Sequence, residues 1–241
     1  MKTLYITGAG VSAESGIPTF RGEDGFWTIG SRNYTPQEMA TRAMYEHDPL
    51  QFLRWYYHRF ATYRHHGPND VHYWLADKNL ITQNIDGLDG KAGNKSYIAI
   101  HGRLDQMTLF HDQALAEQII PRTTPWDAVD DSRLDASLME VFCINERPEL
   151  NQSYKPFVLL FDEYYTELYR ILEARQRMLA AERIVFLGTS FSVNITMMAL
   201  ETAMARGIPI EIVDPQPVTV PYENTRYHVM TAMRYIKETE D

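Results

Sequence analysis

A chain of 241 residues, 44% of them hydrophobic, can bury a substantial core, and a formal net charge of -9, with no basic stripe to offset it, disfavours a nucleic-acid partner. Its one cysteine, Cys143, excludes an intrachain disulfide and a zinc site of several thiolates, and fits a reducing, cytoplasmic setting. With no apolar leader ahead of Thr3 and no later run of about 18 apolar residues, neither secretion nor a membrane partner is expected.

Short apolar runs separated by helical stretches make an α/β pattern, with strands expected at residues 3–6, 80–82, 97–100, 157–161, 184–187 and 208–213. After the first of these, Gly8-Ala9-Gly10-Val11-Ser12-Ala13-Glu14-Ser15-Gly16 reads as a turn in which small glycines let the backbone approach a pyrophosphate. Amides at the start of the following helix would face its charge; a plain strand-to-helix turn is the other reading. Gly16 comes six residues after Gly10 where the usual dinucleotide fingerprint has three, which argues against a generic NAD dehydrogenase. Residues 23–68 are aromatic-rich and helical from about Pro49.

The second strand leads into Gln83-Asn84-Ile85-Asp86-Gly87-Leu88-Asp89, a polar cluster suited to a ribose and a carboxamide, or else an Asx-rich turn. The third leads into His101-Gly102, an imidazole at the sheet edge that serves either proton transfer or structure. Residues 104–154 read as polar and irregular, with Pro121, Pro125 and Pro148. Helices are expected over 163–181 and over 193–206, the second closed by Gly207 and Pro209. Gly188-Thr189-Ser190 offers hydroxyls and open amides after the fifth strand, and Asp214, after the sixth, can accept bonds from both hydroxyls of an adenosine ribose. The expected division is a Rossmann-like domain of residues 1–22, 69–103 and 155–241, with a small inserted module of residues 23–68 and 104–154 above the sheet's carboxyl edge.

The segments GAGVSAESGIPTFRG at 8–22, PNDVH at 68–72, ITQNIDGLD at 81–89, HGRL at 101–104, KPFVLLFDE at 155–163, FLGTSFSV at 186–193 and EIVDPQP at 211–217 together resemble the sirtuin family of NAD-dependent protein deacylases, nearly end to end. The resemblance implies an α/β fold: a Rossmann-like parallel sheet with helices on both faces, plus a small module. It implies NAD as cofactor and an acyl-lysine protein or peptide as substrate, with nicotinamide and O-acyl-ADP-ribose as products. Gly8, Ala9, Gly10, Ser12 and Glu14 would then line the pyrophosphate turn, and Phe20 and Arg21 would cover the nicotinamide ribose. Gln83, Asn84, Ile85 and Asp86 would hold that ribose and the carboxamide. Gly188, Thr189, Ser190 and Asp214 would complete the cofactor site, and His101 would be the general base. Val193 would pair its backbone with an extended peptide. Tyr56 and Arg59 share a helix face where desuccinylase-like relatives read an acyl carboxylate, although Glu23 opposes such a clamp and an ordinary aromatic helix explains the same residues.

The chain departs from the family in lacking its four zinc-binding cysteines, so no metal is expected, and packing of Leu115, Ile119, Trp126 and Phe142 is expected to replace the zinc ribbon. Thr19 stands for aspartate, Asp89 for histidine, Asp162 for glycine and Asp214 for asparagine; Asp214 should repel NADP. The competing functions are an NAD hydrolase or ADP-ribosyltransferase on the same fold, and a non-catalytic NAD-binding protein.

Overall fold

A computed structural model of the chain describes residues 2–19, 35–59 and 61–240. Phe20, Arg21 and Glu23 lie outside the described residues, as does the side chain of Arg59. Among the described residues the strands are β1 (Thr3–Thr7), β2 (Leu80–Thr82), β3 (Ile98–Ala99), β4 (Gly102–Leu109), β5 (Arg122–Thr123), β6 (Tyr154–Val158), β7 (Arg183–Leu187), β8 (Ile210–Val213) and β9 (Thr225–His228). The α-helices are α1 (Pro36–Met39), α2 (Arg42–His47), α3 (Pro49–Arg59), α4 (Asp70–Trp74), α5 (Leu88–Lys91), α6 (Leu134–Val141), α7 (Ile171–Ala180), α8 (Asn194–Arg206) and α9 (Ala232–Glu240).

One unit comprises the described residues within Met1–Thr19, His66–Ile100 and Arg170–Asp241, and holds a parallel sheet in the order β3-β2-β1-β7-β8-β9. Counted within this sheet alone the order is 3-2-1-4-5-6, so the chain reverses its direction of travel between β1 and β7. The central strands are buried runs, as a parallel sheet covered on both faces demands. Tyr5, Leu80, Val185, Leu187 and Val213 line one face and pack on Val71 and Leu75 at α4 and on Ala232, Tyr235 and Ile236 of α9. Period-2 alternation then sends Leu4, Ile6, Ile81, Phe186 and Ile212 to the other face. Each fully buried side chain of this size contributes about 1.5–3 kcal/mol. α8 ends as expected, at Gly207 in the left-handed region (φ 64°).

One expected helix is shorter than the sequence implied, and one strand was not expected. The helix expected over 163–181 forms only as α7, preceded by a 3-10 turn at Glu167–Tyr169 and by Arg170 at φ 58°. Its expected first turns fail because the Glu163 side chain turns back to bond the Leu160 N–H, and the adjoining Tyr164-Tyr165-Thr166 run has low helix propensity. The edge strand β9 has no counterpart among the expected strands, because its sequence, Thr-Arg-Tyr-His, carries no apolar alternation.

The second unit comprises the described residues within Phe20–His65 and His101–Tyr169. Its sheet is antiparallel, in the order β5-β4-β6. Of the apolar run at 157–161, expected in the main sheet, only Phe157 and Val158 form a strand, as the end of β6, and residues 155–169 belong to this unit. Nor is 104–154 irregular throughout: it contains most of β4 and all of α6. β4 is hard to recognise from sequence because its pairing with β6 slips between Arg103 and Met107, which breaks the alternation of its side chains. Tyr45 meets Phe52 and Phe110 edge-on at 5.1 and 5.2 Å, and Trp126 packs on Phe142 at 5.5 Å while its Nε1 donates to Leu104 O (2.7 Å). Leu115, expected in this core, is 48% exposed; on its 3-10 turn Ala116 points inward instead.

An ion pair lies within the same unit. Lys155 and Glu163 are 1% and 4% exposed and 3.1 Å apart, and Lys155 Nζ also donates to Val158 O. Burial pushes the Lys155 pKa down, against the pull of Glu163. Among the described residues no three His, Cys, Asp or Glu side chains are grouped to hold a metal ion, and no helix is long and apolar enough to cross a membrane.

Candidate active site

The loops that leave β1, β2 and β7 meet where the sheet reverses direction. Gly10 N–H donates to Gly188 O (3.0 Å), and the backbones approach so closely that a methyl group has no room. A Cβ on Gly8 would fall 2.7 Å from Gly188 O, and one on Gly188 would fall 2.8 Å from Gly10 Cα. The glycines thus have a protein partner besides any phosphate. They open into a pair of 3-10 turns, Ala9–Val11 and Ala13–Ser15, and not into the α-helix the sequence implied. Gly188→Ala is expected to destabilise the protein more than Gly207→Ala in urea denaturation. Both sites have positive φ, but only Gly188 adds a backbone clash, worth about 1–3 kcal/mol. Equal losses would show that the close approach is unimportant.

Polar side chains fill the space behind these turns. Asn84 spends its two amide hydrogens on Gly8 O (3.0 Å) and Ser12 Oγ (3.1 Å), while Ser12 donates to Asp86 Oδ2 (2.7 Å). Gln83 Nε2 donates to Thr7 O and Thr189 Oγ1, both at 3.0 Å, joining the β2 and β7 loops. Asp86 Oδ1 accepts the Leu88 N–H at the start of α5 (2.9 Å). Beneath them His72 is fully buried: Asn69 N–H points at its Nδ1 (3.2 Å) and its Nε2 lies 3.4 Å from Ser12 Oγ. Ser12 already donates to Asp86, so the consistent tautomer carries hydrogen on Nε2. Burial lowers the His72 pKa, which keeps the ring neutral, although Asp86 pulls it upward. Sequence reasoning does not assign His72 and Asn69 to the site, yet both lie in the PNDVH segment that carries part of the resemblance.

Among the expected cofactor residues, Ser12 and Thr189 are buried, Glu14 is exposed on the second 3-10 turn, and Ala9, Ile85 and Ser190 are half-buried beside the cluster. The set offers what a ligand with vicinal hydroxyls and an amide requires: the Asp86 carboxylate, the Asn84 Oδ1 acceptor and glycine-lined backbone. In the second unit, His101 begins its segment, and its Nε2 lies 2.9 Å from the Tyr165 hydroxyl.

A NAD-dependent protein deacylase of Leptospira interrogans is 31% identical to the chain over 223 residues, 89% of this chain and 82% of that protein. The mitochondrial NAD-dependent protein deacylase sirtuin-5 of Danio rerio is 32% identical over 225 residues, 85% of this chain and 71% of its own length. A solved Sir2 homolog–NAD complex is 28% identical, with a TM-score of 0.73 over 98% of this chain and 87% of that one. The model of the Sir2 family matches residues 8–195. The chain belongs to the Sir2 family.

Its departures from the Sir2 pattern have local explanations. Asp162 accepts the Arg42 and Ala43 N–H groups (2.6 and 3.0 Å), a carboxylate at the positive end of α2. Asp214 holds a turn, accepting Gln216 N–H at Oδ1 (2.8 Å). Asp89 is 1% exposed, and burial together with the Asp86 charge pushes its carboxyl up to about 7. Val193 is extended (φ -131°, ψ 153°), and its carbonyl accepts both the amide and the hydroxyl of Thr196. Tyr56 is corrected: at 3% exposure, packed on Phe52 and Trp55, with burial and the charges of Glu163 and Asp162 pushing its hydroxyl far up, it is not open to an acyl carboxylate.

Proposed function

We propose that the protein removes acyl groups from protein lysine with NAD as co-substrate, releasing nicotinamide and O-acyl-ADP-ribose. The observation that carries this reading is the Ser12–Asn84–Asp86 cluster, buried at Ser12 and Asn84 and half-buried at Asp86, which faces the point where the parallel sheet reverses and rests on His72. NAD supplies a ribose whose bond to nicotinamide can be exchanged for one to the acyl oxygen. The acyl group passes from the lysine amide to a ribose hydroxyl, the amine is freed, and one water is consumed.

Asn84 and Asp86 bind and orient that ribose. Because Ser12 and Leu88 hold the Asp86 carboxylate from two sides, its direction is set before the ligand arrives. Gln83, tied to Thr7 and Thr189, keeps the neighbouring loop in place. His101 is the base that takes the ribose hydroxyl proton. The substrate is an acyl-lysine peptide; the net charge of -9 favours such a cationic chain over nucleic acid, and the single Cys143 fits work in the cytoplasm.

Nicotinamide release from NAD is the test, measured with and without acetyl-lysine and succinyl-lysine peptides. Release that requires peptide and yields O-acyl-ADP-ribose is expected. Peptide-independent release would make the protein a hydrolase or transferase, and no release, with NAD still raising Tm, would make it a binding protein. His101→Ala is expected to keep the NAD-induced Tm shift and to lose 10²–10⁴-fold in turnover, roughly the worth of a general base.

A further inference from the structure

His101 is tied to one segment twice. At the end of β6 the Leu159 N–H donates to His101 O (2.9 Å), and six residues later the Tyr165 hydroxyl reaches His101 Nε2 (2.9 Å). The two rings lie 27° apart with centroids separated by 6.0 Å. The intervening loop is held on both sides. Glu163 N–H donates to Leu160 O, and its carboxylate accepts Leu160 N–H and the Lys155 ammonium. Tyr169 stacks on Phe157 at 5.2 Å and 12° and bonds back to Thr166 O. A loop fixed at this many points delivers the Tyr165 hydroxyl to one atom of the imidazole.

We propose that Tyr165 is a positioning residue for His101, donating its O–H to Nε2 and so fixing the neutral ring with its hydrogen on Nδ1. The inference rests on the reading of His101 as the base. A bond donated to unprotonated Nε2 stabilises the neutral ring of the unliganded protein; the ribose hydroxyl then takes the place of the Tyr165 hydroxyl and gives Nε2 its proton. Other charged groups on the flanking segments have partners of their own. Arg103 and Asp105 bond each other, Lys155, Glu163 and Arg42 form one buried cluster, and Asp162 serves the start of α2. Glu167 stands on the 3-10 turn beyond Tyr165.

The test is ¹⁵N NMR of the imidazoles in the wild type and in Tyr165→Phe, with His101→Gln to assign the signal. In the wild type His101 is expected to hold its hydrogen on Nδ1. In Tyr165→Phe the Nε2–H tautomer should gain population and the titration midpoint should rise by about half to one pH unit, the effect of one hydrogen bond. The acid limb of kcat/KM for deacylation, which reports the free enzyme, should move by the same amount, with KM for NAD at the pH optimum within about twofold. Placing 3,5-difluorotyrosine, a stronger donor, at 165 should move the midpoint the other way, which damage to the fold would not do. An unchanged tautomer and midpoint, or a midpoint that falls in Tyr165→Phe, would overturn the proposal. The NMR result stands apart from turnover, so absence of deacylation would sink the functional reading alone.

Discussion

Asn84→Ala is expected to reduce peptide-dependent nicotinamide release by about 10²–10³-fold, the scale seen when one fixed polar group is taken from a preorganised site. The reason lies in what the side chain holds. Its two amide hydrogens are spent on Gly8 O and Ser12 Oγ, and its own N–H rests on Thr82 Oγ1 (3.2 Å), so the Oδ1 direction is determined by three bonds. Alanine removes that oxygen and also two buried hydrogen bonds, at about 0.5–1.5 kcal/mol each, while Gly8 O keeps the Val11 N–H and Ser12 Oγ keeps His72 Nε2. The two losses separate experimentally. Thermal unfolding without ligand reports the two lost hydrogen bonds, while turnover at a temperature where the variant is folded reports the lost oxygen. Turnover within about threefold of wild type would remove Asn84 from the site.

Asp89→Asn is expected to stabilise the protein at pH 8 by as much as ~4 kcal/mol and to change little at pH 4 or below. The wild-type carboxyl stays protonated in the folded protein up to about 7 because of its burial and the charge of Asp86, whereas an unfolded aspartate ionises near ~3.9. The folded state therefore binds the extra proton between these values, and stability must fall as pH rises from about 4 to 7, with the full cost present above that window. Asparagine has nearly the shape of the protonated acid and can accept the same bond from Thr82. Urea denaturation of both proteins at pH 4 and pH 8 decides the matter: a gain that is the same at both, or a loss at pH 8, would contradict a carboxyl held neutral by its surroundings.

The features legible in the sequence are those that lie close along the chain. The strand ends, the Gly8–Gly10 turn and the Gln83–Asp86 run are contiguous, and their chemistry comes from residue type and place after a strand. Features that depend on distant partners are not legible in this way. That Gly10 has no Cβ because Gly188 occupies its space is a fact about two loops, and nothing near Gly10 announces it. Tyr56 and Arg59 do share a helix face by their spacing, but the aromatic rings around Tyr56, not the spacing, decide that it is buried. Leu115 obeys the same logic in reverse: apolar by type, exposed by the geometry of a short 3-10 turn. Tyr165 has no local signal, because its partner is 64 residues earlier.

The pairing of β1 with β7 has a consequence for how the protein is made. The strand that Thr3 pairs with, beginning at Arg183, is translated about 180 residues after it. At about 5–20 residues per second that is a wait of roughly 10–40 s. During this interval β1 can join β2, whose register with it is set by Tyr5 and Leu80, but its other edge stays open to wrong partners. The Gly8–Gly10 turn cannot take its final shape until Gly188 arrives, so a nascent chain ending before that residue carries most of the polar cluster and none of the cradle. Synthesis arrested in this window should yield a chain that depends on chaperones and does not bind nucleotide.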